Sequence, residues 1–216
     1  MNIYGEPGAG EGAQYNPGPA TDARKAATVI LLRGGKQTLE ILLVRRTAKA
    51  RFMGGVWVFP GGAVDDDDRR AQDPAGGESA LRRAAARELR EEAGIALSDI
   101  DELVEFSRWI TPAEVRRRFD THFFLARLPP GQEPHVDGEE CVEYRWFTPR
   151  AALAAHGAGE IGLVFPTIKH LERLAPYPSA DALLEEASGR DVEPVQPRVV
   201  LDGETARVLL PGEPGY

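Results

Sequence analysis

The sequence predicts a mixed α/β (α+β) domain, a β-sheet with helices packed on it. Three observations carry this. Short apolar, β-branched runs recur at 26–33, 39–46 and 55–62. A single stretch of helical composition, 78–93, follows a polar loop. More strand-like runs come next, and the remaining helical stretches only after those, an order that suggests a mixed sheet sandwiched between helices.

The elements follow in order. Residues 1–22, "MNIYGEPGAGEGAQYNPGPATD", are rich in Gly, Pro and Ala and lack apolar periodicity, so they read as a flexible arm. "AATVILLR" and "LEILLVRR" are joined by "GGKQT", whose glycines supply a turn, and the pair reads as a hairpin. "GVWVFPGG" (55–62) is a third strand, stopped by Pro60 and two glycines. The polar loop 63–77 carries "DDDD", and Asp65 to Asp68 read as a solvated rim, with a metal contact as the alternative.

The helix 78–93 has alanines at its centre and Gly94 just past its end as a stop. Ala86, Leu89 and Ala93 share one face and are expected on the sheet. Glu88, Glu91 and Glu92 lie away from it, and Arg83, Arg87 and Arg90 form a third stripe. Strands are expected over 102–112, 121–128 and 141–149. Helices are expected from 149, at "FPTIKHLERLAPYP", and at "SADALLEEASG". The tail 177–216 reads as an extension with helical and β parts, including a hairpin around Asp202–Gly203.

Hydrophobic residues make up 42 % of the 216 residues and charged residues 28 %, as in a globular protein. The net charge of −8 argues against a general nucleic-acid binder. No run of about 18 apolar residues suggests a membrane span, and the N-terminus lacks a secretory pattern. The single cysteine, Cys141, fits a reducing compartment, so a cytoplasmic location is expected and the thiol reads as buried and inert.

The chemistry is concentrated in "ARELREEAGI" (86–95). Glu88, Glu91 and Glu92 are three and four positions apart, neighbours on a helix surface. Like charges so placed destabilise a helix, unless a cation sits among them. Three carboxylates on one turn make a hard-oxygen site suited to Mg²⁺ or Mn²⁺. Arg87 can hold one of them by a charge-assisted hydrogen bond. Such a site suits cleavage of a phosphoanhydride, because divalent ions neutralise bridging phosphates and acidify water, and a free carboxylate can take the water's proton.

"GG…RELREEAGI" resembles the Nudix box, G-x5-E-x7-R-E-U-x-E-E-x-G-U with U apolar. Arg87, Glu88, Leu89, Glu91, Glu92, Gly94 and Ile95 match its second half position by position, and Gly62 matches its opening glycine. The resemblance covers about residues 24–176, so 23–176 is expected to be the Nudix domain. It implies a Nudix fold and Mg²⁺-dependent hydrolysis of a nucleoside diphosphate linked to another moiety. It also implies that Glu88, Glu91, Glu92 and the Gly62 carbonyl hold metal and that Arg87 orients a glutamate. An acidic residue from a later loop adds a ligand or base, with Glu140 favoured over Glu139 in "DGEECVEYRW".

One departure stands out. Fifteen residues separate Gly62 from Glu78, where the box has five. Glu78 lies one position out of register with Arg87, and Ser79 occupies the place of the first box glutamate. A long acidic insertion after "FPGG" resembles the coenzyme A diphosphatase-like branch, as do "LLVRRTAKARFMGGVWVFPGGAVDDDD" and "RRFDTHFFLA". Coenzyme A or acyl-CoA is therefore the favoured substrate, with ADP-ribose or NADH as the alternative and a non-catalytic Nudix-like binding module as the second.

Arg45 and Arg46, at the end of a strand facing the box loop, are candidates for gripping substrate phosphate. The run Arg116–Arg118 could grip a substrate phosphate, and reads rather as solvated surface. Trp109 and Phe52 are the first candidates for stacking on a base. His122, His135, His156 and His170 have no ligand-like spacing. A homodimer is expected from the resemblance alone.

Overall fold

The computed structural model describes residues 14–50, 53–69, 77–202 and 205–216. The chain runs β1 (Arg24–Arg33), β2 (Glu40–Arg46), β3 (Trp57–Val58), β4 (Gly61–Ala63), α1 (Glu78–Ala93), β5 (Val104–Ile110), β6 (Phe119–Arg127), β7 (Cys141–Phe147), α2 (Pro149–Gly157), α3 (Phe165–Leu174), α4 (Ala180–Ala187), β8 (Pro194–Val195), β9 (Arg198–Asp202) and β10 (Thr205–Leu209). The mixed sheet has the order β3-β2-β1-β6-β5-β8, with β4 added to β1 and β7 to β2. β1 and β6 are parallel and in register from Arg24↔Phe119 to Leu32↔Arg127.

β1 is buried on both faces, and strict alternation divides it. Val29 and Leu31 pack with Leu81, Ala84, Ala85 and Leu89 of α1. Ile30 and Leu32 pack with Leu171 and Leu174 of α3 and Leu183 of α4 on the other side. The helices thus sit on both faces, as the order of elements predicted. Thr148 caps α2 by accepting a hydrogen bond from the Ala151 N–H, and Ser179 caps α4 by accepting from that of Ala182.

The single strand expected over 55–62 is split. β3 pairs with β2 at Val44↔Val58, whereas β4 pairs with β1 at Thr28↔Gly61. Pro60 has no N–H for a ladder, so the chain changes partner there. Gly61 then fits against β1, where a Cβ would collide with Thr28.

The buried face of α1 also differs from the expectation. Ala86 is only half-buried, while Ala84 and Ala85 are fully buried. Glu92, placed by sequence on the open side, is 3 % exposed. The apolar face is wider than the stripe through 86, 89 and 93, because β4 crosses the edge of the helix. Gly94 ends α1 with φ 67° and donates to the Arg90 carbonyl.

Of the N-terminal arm, residues 14–22 are described. Tyr15 bridges Val115, and the Asn16 N–H donates to the Glu114 carbonyl at 2.7 Å. In the C-terminal extension, β8 pairs with β5, and β9 and β10 form a hairpin that places Val199 beside Val115. No helix among the described residues is long and apolar enough to cross a membrane.

Candidate active site

The site forms where α1 meets β4. Each of three successive backbone positions meets a different residue of the glutamate turn. The Gly61 N–H donates to Glu92 Oε2 at 2.9 Å. Gly62 lies so close to Glu88 that a Cβ there would collide with the carboxylate. The Ala63 carbonyl accepts from Arg87 Nη2 at 3.0 Å. The same three residues also line a cleft of about 400 Å³ on their other side. β4 is thus a wall shared by the carboxylates and the cleft.

Arg87 is the hub. Its Nη1 donates to Glu88 Oε1 at 2.8 Å and to Glu91 Oε2 at 3.0 Å. Its Nε and Nη2 form a fork onto Asp68, at 3.2 and 2.9 Å. The Asp68 hydrogen bond is the main reason its guanidinium is held more firmly protonated than usual; burial opposes this, and Glu88 and Glu91 add to it. Burial pushes the Glu88 carboxyl up against the pull of Arg87. Burial pushes Glu92 up to about 7, against the Gly61 N–H and Arg46, with Glu88 and Glu140 adding to the rise. Two carboxyls therefore resist ionisation where a cation would favour it.

Asp68 is the part of this arrangement that sequence reasoning missed. It is 4 % exposed, not part of a solvated rim. Its Oδ2 also accepts from the Asp65 N–H at 2.9 Å, and its carbonyl accepts from Arg83. Glu78, by contrast, pairs with Arg82 at 2.6 Å and is mostly exposed. The signal was present: Asp68 is the sixth residue after Gly62, the spacing G-x5-E prescribes. The extra length falls after this carboxylate, not before it.

The other candidates divide. Arg46 lines the cleft, reaches Glu92 at 3.4 Å, and has a buried Nε without a hydrogen-bond partner among the described residues. Arg45 is adjacent on the strand and so projects the other way; it is held by Glu143 at 2.9 Å and does not line the cleft. Glu140 is exposed, just before β7, but close enough to raise both Glu88 and Glu92 electrostatically. Asp137 fastens this loop by accepting from the N–H groups of Glu139, Glu140 and Cys141.

Of the arginine run, Arg117 lines the cleft, whereas Arg118 donates to the Thr111 and Thr21 carbonyls. Trp109 packs against Phe165 and His170 in the core and does not line the cleft. Phe52 lies outside the described residues. Cys141 is fully buried and its thiol pushed up by burial, as an inert cysteine should be. His170 is buried among Phe59, Phe106, Trp109 and Phe123, with Ser107 Oγ 2.6 Å from Nε2.

The NUDIX domain signature matches residues 22–166. The chain belongs to the Nudix family. A Caenorhabditis elegans protein named as nudix hydrolase 7 is 31 % identical over 213 residues, covering 82 % of this chain and 68 % of that protein. The human protein named acyl-coenzyme A diphosphatase NUDT19 is 34 % identical over 123 residues, which span 55 % of this chain but only 33 % of the human one. Among solved structures, a NUDIX hydrolase from Alicyclobacillus acidocaldarius superposes with a TM-score of 0.65 at 30 % identity, over 76 % of this chain and 96 % of that one. This Nudix hydrolase therefore has the fold and the class of enzyme that "RELREEAGI" implied.

Proposed function

We propose that this Nudix hydrolase is a divalent-cation-dependent diphosphatase. It splits the diphosphate that joins a nucleoside to a second moiety, with coenzyme A and acyl-CoA as favoured substrates. The observation that carries this is the shared wall: β4 places a carboxylate turn and a cleft back to back within three residues. The substrate preference rests on the named activity of the human relative.

The donors suit Mg²⁺ or Mn²⁺. Glu88, Glu91, Glu92 and the Gly62 carbonyl are all hard oxygens, and the bare Gly62 backbone allows Glu88 to approach it. As the side chains stand, no group of three carboxylates, imidazoles or thiolates among the described residues converges on one point. Glu88 and Glu91 are instead turned to Arg87, which pre-positions them on one side of the helix. When bound, the ion would neutralise phosphate charge and make water a better nucleophile. Arg87, fixed by Asp68, holds Glu88 and Glu91 in place. Arg46, which lines the cleft, offers its guanidinium to a substrate phosphate oxygen. Glu140, exposed and beside the turn, accepts the proton of the attacking water.

The test is a hydrolysis panel of CoA, acyl-CoA, ADP-ribose, NADH and dinucleoside polyphosphates, with Mg²⁺ or Mn²⁺ and with chelator. The expected result is diphosphate cleavage that requires the ion and is fastest for CoA or acyl-CoA. Preference for ADP-ribose or NADH would move the substrate. Nucleotide binding without product release in the presence of metal would mean a binding module and overturn the proposal.

A further inference from the structure

We infer that Arg24 and Arg117 form a subsite for a phosphomonoester carried by the substrate in addition to its diphosphate. This rests on the diphosphatase reading above, and narrows its substrate class.

The chain is acidic, with 34 Asp and Glu against 26 Lys and Arg, and most of its arginines near the sheet are engaged. Arg33, Arg45, Arg46, Arg82, Arg87 and Arg108 each have a carboxylate partner. The side chains of Arg24 and Arg117 have no ion-pair or hydrogen-bond partner among the described residues, yet both line the cleft that β4 shares with the glutamate turn. Two like charges left uncompensated at one cleft repel each other, and an anion between them would relieve that.

The register gives the distance. Arg24, Ala26 and Thr28 alternate onto the cleft face of β1. Thr28 is opposite Gly61, and Ala26 opposite Ala63. At about 3.3 Å per residue, Arg24 starts about 7 Å beyond the Ala26–Ala63 row and about 13 Å beyond the Gly61 row that meets Glu92. A guanidinium so displaced is offset from a diphosphate at the carboxylates and suits a second anion further along the ligand. Arg117 comes from the β5–β6 connection, and Phe119 and Thr121 carry that wall of the cleft alongside β1. Val58, Phe59, Phe123 and Val164 supply apolar surface at the Gly61 end of the same cleft, for a base. The ligand chemistry is a nucleotide with both a 5′-linked diphosphate and a ribose phosphomonoester.

That chemistry has two sources, a 3′-phosphate as in CoA or a 2′-phosphate as in NADPH. The experiment measures binding of AMP, adenosine 3′,5′-bisphosphate and adenosine 2′,5′-bisphosphate to the full chain by calorimetry. It is paired with kcat/KM for CoA against 3′-dephospho-CoA and for NADPH against NADH. Proteins are the wild type, Arg24→Ala, Arg117→Ala, and Arg116→Ala as the exposed neighbour outside the cleft.

The expected result is that one bisphosphate binds about 10- to 100-fold tighter than AMP. Arg24→Ala and Arg117→Ala should each remove most of that margin while leaving AMP binding unchanged, and Arg116→Ala should leave both unchanged. The preferred isomer identifies the source. Equal binding of AMP and both bisphosphates by the wild type, or equal loss for AMP and bisphosphate in the variants, overturns the subsite. If no diphosphate is cleaved but the binding margin is present and lost in the variants, the subsite stands and the diphosphatase reading falls.

Discussion

Replacing Asp68 by Asn separates the two candidates for the first carboxylate of the box. Asp68 receives a two-pronged hydrogen bond from Arg87 and one from the Asp65 N–H, and is almost wholly buried. Removing one partner of a buried ion pair costs about 3–5 kcal/mol. Arg87 keeps Glu88, Glu91 and the Ala63 carbonyl, and Asn keeps one acceptor oxygen, so about 2–3 kcal/mol is expected here. For a chain of this size that corresponds to a fall in Tm of about 4–12 °C. Loss of the fork also frees Arg87 to swing, and kcat should fall about 10- to 100-fold, as for outer residues that hold metal ligands. Glu78→Gln breaks an exposed helix pair worth about 0.5 kcal/mol or less, and should leave Tm and turnover nearly unchanged. Thermal denaturation without metal, beside turnover with Mg²⁺, gives both readings. A Tm for Asp68→Asn equal to wild type, or a larger loss in Glu78→Gln, would refute the reasoning.

Three further outcomes are expected. Glu91→Gln and Glu92→Gln should each lose most turnover while near-ultraviolet dichroism keeps its native form; full activity in both would remove these residues from the chemistry. Gly62→Ala introduces a methyl into the space of the Glu88 carboxylate on a backbone that any residue can adopt, so kcat should fall with little change in unfolding midpoint; a normal kcat would show that Glu88 need not approach the strand. Burial lowers the His170 pKa to about 4, against the Pro166 carbonyl, with Arg173 lowering it further. The unfolded state therefore binds the extra proton between about 6.5 and 4. Stability is complete above that window and falls by about 3 kcal/mol as pH drops through it. Urea unfolding at pH 7 and pH 4.5 should show this slope, flattened in His170→Gln; equal slopes would place the loss elsewhere.

Local pattern made the sheet and the helices legible. The runs of β1 and β2, the glycine at 94 and the tail hairpin are each set by neighbours in sequence, and their pairings appear as expected. The split at Pro60 was not legible, because it depends on which partner strand each half can reach. Glu92 was misplaced for a related reason. Helical spacing alone gives it to the open side, and only the arrival of β4 covers it and supplies the Gly61 N–H that makes burial tolerable. Asp68 was hidden by context, since four consecutive aspartates look solvated, and the spacing from Gly62 that singles out the fourth was weighed against Glu78 instead. Arg24 could not be found at all from sequence. Its interest lies in having no partner, which is a property of the folded surroundings.

The wall between carboxylates and cleft is made of Gly61, Gly62 and Ala63, two of which have no side chain. The carboxylate side is served by α1 side chains with Asp68 and Glu140, and the far side by β1, β6, the loop before β6 and the residues around β3 and the start of α3. Apart from Arg46, no side chain among the described residues serves both. Bond breaking and ligand choice are consequently separable under mutation. A lineage, or a designer, could remodel Arg24, Arg117 or the apolar lining of the cleft without disturbing the glutamate turn on the other side of β4.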